Sequence, residues 1–125
     1  EHPLKVLVLE DNLFFVTRLE SALKAIGHET RLASSGREAE EALRSGAQAA
    51  VVSLHAPGAL EFVRLANRTG TPVAAYCGHA EVELRQKAKE AGAGVLLANS
   101  DIPSALEKAL THLVRPCEGA AGEPS

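Results

Sequence analysis

The sequence predicts an α/β domain: a five-stranded parallel sheet with helices on both faces. Three observations carry this. Short apolar runs alternate with amphipathic stretches of helical period, in the order strand then helix, five times along 125 residues. The third run, 49–54, is apolar on both faces except for Ser53, as a central parallel strand must be when helices cover it from two sides. The connections are short, so each successive pair closes as a right-handed crossover.

Residues 1–3 read as a leader, and the first strand spans 4–9. Asp11 and Asn12 are N-cap candidates for a helix in which Phe15, Leu19, Ala22, Leu23 and Ile26 recur at helical spacing, closed by Gly27. A weaker strand follows over 28–33. Ser35 with Glu38 three residues on forms a capping box for a second helix, with Ala39, Ala42 and Leu43 inward and Gly46 at its end. After the third strand, Pro57-Gly58 marks a turn into a short helix over 60–67 with Glu61, Arg64 and Arg68 outward. Thr71-Pro72 opens a fourth strand that runs to about Tyr76. A fourth helix over 81–91 carries a thin stripe of Leu84, Ala88 and Ala91, and a fifth strand covers 95–98. The last helix starts at about Pro103, and the Gly, Pro, Glu and Ser content from Arg115 onward reads as a tail or linker. One domain over 4–114 is expected, with the strand order 2-1-3-4-5 of flavodoxin-like folds and function at the carboxyl ends of the strands.

Composition narrows the function classes. Hydrophobic residues make up 46% and charged residues 23%, an ordinary globular balance. A net charge of −3, with Phe14, Phe15, Phe62 and Tyr76 the only aromatics, argues against a nucleic-acid surface. Cys77 and Cys117 match neither a zinc spacing nor a disulfide framework, and no apolar run is long enough for a bilayer, so a cytoplasmic location is expected.

The strand ends bring Glu10-Asp11, Ser53-Leu54-His55, Cys77-Gly78-His79 and Asn99-Ser100 to one edge. The segments KVLVLEDN (5–12), VVSLHAPG (51–58), TPVAAYCGHA (71–80) and 92–100 stand in the order and at the separations of receiver-domain landmarks. Across 4–114 the chain resembles the receiver domain of bacterial two-component response regulators, in a degenerate form. The resemblance implies a phosphorylation pocket in which an acidic pair after strand one holds Mg²⁺ and an aspartate ending strand three accepts a phosphoryl group. A Thr or Ser ending strand four and a Lys ending strand five contact that group.

Glu10 and Asp11 match the acidic pair. Ser53 stands at the acceptor position, Cys77 at the hydroxyl position and Asn99 at the lysine position, while Leu96 replaces an aromatic that usually swings on activation. No realignment supplies an acceptor, because Asp11 and Asp101 are the only aspartates. The chemistry needs a carboxylate, which is ionised at neutral pH, whereas a serine hydroxyl needs a neighbouring base. Losing a carboxylate and an ammonium together leaves the formal charge of the remnant pocket (Glu10, Asp11, Ser53, Cys77, Asn99) unchanged. A signalling module that works by protein contact without aspartyl phosphorylation, and without enzymatic activity, is therefore expected. No cofactor is expected beyond Mg²⁺ held weakly by Glu10 and Asp11.

Structural readings stand beside these. Asp11 suits a helix cap as well as a metal, Ser53 suits a polar filler at a strand end, and Cys77 suits a small buried residue with no activating cation near it in sequence. The alternative function is a metal-binding or enzymatic site built from Glu10, Asp11, His55 and Cys77, with His79 near them. His79 itself stands where receivers often carry a histidine with no catalytic role. Partners implied by the resemblance are a sensor kinase, an output domain or a second copy, docking on the face of helix four, strand five and helix five. There Glu83, Gln86, Lys89 and Glu90, and Ser104, Glu107, Lys108 and Thr111, are placed outward by periodicity. Leu13 and Phe14 offer a competing apolar patch at the pocket rim.

Overall fold

The computed structural model describes residues 4–78, 80–99 and 108. The elements run β1 (Lys5–Leu9), α1 (Leu13–Ala25), β2 (Glu29–Ala33), α2 (Gly36–Arg44), β3 (Ala49–Ser53), α3 (Ala59–Arg68), β4 (Val73–Cys77), α4 (Val82–Ala91) and β5 (Val95–Ala98). All strand pairings are parallel, in the order β2-β1-β3-β4-β5. The expected doubly wound sheet is the observed one. The leader, His79, Asp101, the fifth helix apart from the helical residue Lys108, and the tail over 115–125 lie outside the described residues.

The central strands explain the order. Every residue of β3 and of β4 is buried, which only a strand covered on both faces can sustain. β2 alternates poorly and is largely exposed, as suits an edge. Side chains alternate across the sheet and divide the core in two. Leu7, Leu9, Ala50, Val52, Ala75 and Cys77 join the cluster that also holds Ala39, Phe62, Val63 and Ala88 of α2, α3 and α4. Val6, Val8, Val51 and Tyr76 face the other way, onto Leu19 and Leu23 of α1.

The helix boundaries follow their caps. Asn12, rather than Asp11, caps α1, its side chain accepting the Phe14 N–H at 2.9 Å. Ser35 caps α2 through the Glu38 N–H, but Glu38 reaches back one residue further than a capping box requires, accepting from the Ser34 N–H at 2.8 Å. The Pro57-Gly58 turn is pressed against the start of α2. The Gly36 N–H donates to the Pro57 carbonyl at 2.7 Å, and a Cβ on Gly36 would meet the Gly58 oxygen at 2.6 Å. No helix among the described residues is long and apolar enough to cross a membrane.

Candidate functional site: a tyrosine-filled pocket at the strand ends

Strand register decides which side chains share the pocket. Glu10 follows Val8 and Ser53 follows Val51 by two residues, so both continue the α1-facing side, and Ser53 pairs in register with Tyr76. Glu10 and Ser53 are the two buried polar side chains among the described residues, 5% and 4% exposed. Buried polar groups need partners, and Tyr76 supplies one to each. Its hydroxyl donates to Glu10 Oε1, and the Ser53 side chain hydrogen-bonds the same phenol. The second carboxylate oxygen of Glu10 accepts the Asn12 N–H at 3.0 Å. The Tyr76 ring is 1% exposed and lies 6.1 Å from that of Phe15 in α1. Burial, then the carboxylate of Glu10, pushes the phenol pKa well above its ordinary value, so Tyr76 remains a neutral donor.

The other residues singled out in the sequence are dispersed. Asp11 is exposed at the rim, and Asn99, just after β5, is half-buried. Cys77 belongs to the core on the opposite side of the sheet from Tyr76, fully buried. Burial and the nearby Glu81 carboxylate raise its thiol pKa, with Arg85 acting the other way. Sequence proximity did not reveal Arg85, which the first turn of α4 brings round. His55 is committed to Glu81, its Nε2 lying 2.8 Å from Oε2. That same carboxylate oxygen accepts the Gly78 N–H at 2.7 Å, and a Cβ on Gly78 would stand 2.6 Å from it. Glu81 thus ties the β3–α3 connection to the β4–α4 connection. His55 and the Gly78 N–H together hold its pKa below the ordinary carboxylate value.

The set Glu10, Asp11, His55 and Cys77 is therefore not assembled. Cys77 points to the other core, His55 is engaged by Glu81, and Glu10 has a donor on each oxygen. Among the described residues no three His, Cys, Asp or Glu side chains are grouped to hold a metal. Mg²⁺ fits poorly for the same reasons: it wants several hard, available oxygens, and the pocket offers an engaged Glu10, a neutral Ser53 and a rim Asp11. Tyr76 and Glu81 were missed in the sequence. The signal for Tyr76 was the period of two in β4, which sets it beside Ser53 if Cys77 faces away.

No family model and no curated protein sequence matches the chain. Solved structures do. A candidate response regulator from Chloroflexus aurantiacus J-10-fl superposes with a TM-score of 0.83 at 22% identity, over 90% of this chain and 98% of that one. The chemotaxis response regulator CheY4 of Vibrio cholerae gives 0.80 at 23%, over 90% and 100%. The receiver domain of NtrX from Brucella abortus gives 0.73 at 22%, over 84% and 97%. The fold is that of CheY-like receiver domains; at such identities the likeness speaks to the fold, and function has to come from the site.

Proposed function

We propose that the chain is a receiver-type module of signal transduction that acts through protein–protein contact, independently of aspartyl phosphorylation and without catalysis of its own. The observation that carries this is the residue at the end of β3. Ser53 stands at the end of β3, where the resemblance places the acceptor, buried and hydrogen-bonded to Tyr76, and Glu10, the one buried carboxylate among the described residues, is occupied by the same phenol. A neutral hydroxyl needs a base to activate it, and Glu10 is already engaged on both oxygens. Asn99, at the position where the resemblance places a lysine, carries no charge to balance a phosphoryl group.

The partner is a sensor kinase, an output domain or a second copy. The surface proposed for it includes Glu83, Lys89 and Lys108, all exposed, and Glu107, which lies outside the described residues. NtrX supports a modular arrangement: the chain covers 97% of its receiver domain but 27% of the longer NtrX chain. The test is incubation of the native protein with acetyl phosphate and Mg²⁺, followed by intact-mass measurement. An unchanged mass is expected, and stoichiometric gain of one phosphoryl group at Ser53 would sink the proposal.

A further inference from the structure

Loss of the acceptor aspartate alone would leave an open acidic pocket. The structure shows a filled one. Three strands contribute to the filling: Glu10 after β1, Ser53 at the end of β3 and Tyr76 in β4, on one face of the sheet and joined through a single phenol. The ring is held from the α1 side by Phe15 and sits among Val6, Val8 and Val51. Its hydroxyl thereby donates to Oε1 of Glu10, one of the two acids to which the resemblance assigns a divalent cation.

We infer that Tyr76 is an internal plug: its hydroxyl takes the cation's place on Glu10 and its ring takes the space beside position 53. This deepens the phosphorylation-independent reading above and rests on it. Glu10 then has a task that needs no metal, because a buried phenol requires an acceptor. Restoring an acceptor carboxylate and its lysine is not enough to restore the pocket, since Mg²⁺ has to displace a buried donor from Glu10 before it can bind. Three features point the same way. Both Glu10 oxygens already have donors, the phenol resists ionisation, and the Ser53 side chain is hydrogen-bonded to that phenol.

The experiment compares Ser53→Asp/Asn99→Lys with the same pair carrying Tyr76→Val or Tyr76→Phe, using Mg²⁺ alone as the probe in calorimetry and then acetyl phosphate with mass readout. Removing the plug is expected to tighten Mg²⁺ at least about tenfold over the pair alone, equivalent to about 1.4 kcal/mol, and to raise phosphoryl incorporation with it. Equal Mg²⁺ affinity with and without Tyr76 would overturn the plug. Tyr76→Phe removes one oxygen and keeps the ring, so it reads the same comparison if Tyr76→Val fails to fold. A gain in neither background also overturns it. Phosphorylation of the unmutated chain, by contrast, would sink the proposed function and leave the comparison among the variants to be judged on its own.

Discussion

Tyr76 can be followed directly, since the chain has no other tyrosine and no tryptophan. Its pKa is raised by burial and by Glu10 above an ordinary value of 10.0. The proton is therefore held more tightly in the folded state, so this contribution to stability is complete below pH 10.0 and is lost as pH rises above it. Tyrosinate absorbance should stay absent through the ordinary phenol range and appear together with loss of the circular-dichroism signal. A smooth titration in the intact fold would contradict the buried donor. Tyr76→Phe should cost about 1–3 kcal/mol, because Glu10 loses a donor in a site closed to water; urea unfolding measures it. Cys77 should be inert as well, its thiol buried and its pKa raised. In a Cys117→Ser background, thiol labelling should proceed only as fast as the protein unfolds. The places of Glu10, Ser53 and Asn99 at strand ends were legible in the sequence, because the alternation of strand and helix fixes where each strand stops. Tyr76 was not, because an aromatic inside an apolar strand looks like core until the register pairs it with Ser53.

The connections between elements carry the tightest backbone constraints. At the start of α2, a methyl group on Gly36 would collide with the Gly58 carbonyl, a backbone atom that cannot swing aside, while Gly58 itself holds φ at 76°. Gly36→Ala should therefore destabilise by about 1–3 kcal/mol, the usual cost of overpacking, measured by thermal or urea unfolding; a neutral result would mean that the turn yields. Glu81 links two connections at the carboxyl edge through His55 and the Gly78 N–H. Its depressed pKa means that this contribution is complete above the ordinary value of 4.5 and is lost as pH falls through the lower folded value. Glu81→Gln should thus lower the melting temperature at neutral pH, and the gap from the native protein should narrow as pH falls below 4.5. A gap independent of pH would assign Glu81 a role other than its charge. Helix ends were readable from Asn12, Ser35, Gly27 and Gly46, since each solves a local hydrogen-bonding or φ problem. The Glu81 link joins loops 26 residues apart, and no local rule announces such a pair.

At the scale of the whole molecule, the strand order was legible because β3, apart from Ser53, and β4 are apolar and β2 is not, which fixes centre and edge. Surface function is less so, since exposed charge on a helix keeps the molecule in solution whether or not it also docks a partner. Two surfaces compete. On α4, Glu83, Gln86, Lys89 and Glu90 are exposed, and Lys108 is exposed and helical. At the pocket rim, Leu13 and Phe14 are 79% and 68% exposed, with the Arg18 guanidinium 5.6 Å from the centre of the Phe14 ring. Mixed charges suit a contact that is steered electrostatically and weakens with salt, whereas an apolar rim would give one that salt barely touches. On the proposed phosphorylation-independent reading, no phosphoryl group has to arrive before the surface is competent, so association should already be present in untreated protein. Lys89→Glu with Lys108→Glu should weaken self-association or capture of a cognate kinase or output domain by tenfold or more, about 1.4 kcal/mol. Added salt should mimic part of that loss, while Phe14→Ala should leave association unchanged. Sedimentation of the purified variants across a salt series, followed by pull-down, separates the surfaces: if Phe14→Ala abolishes association and the charge reversals do not, docking belongs to the start of α1.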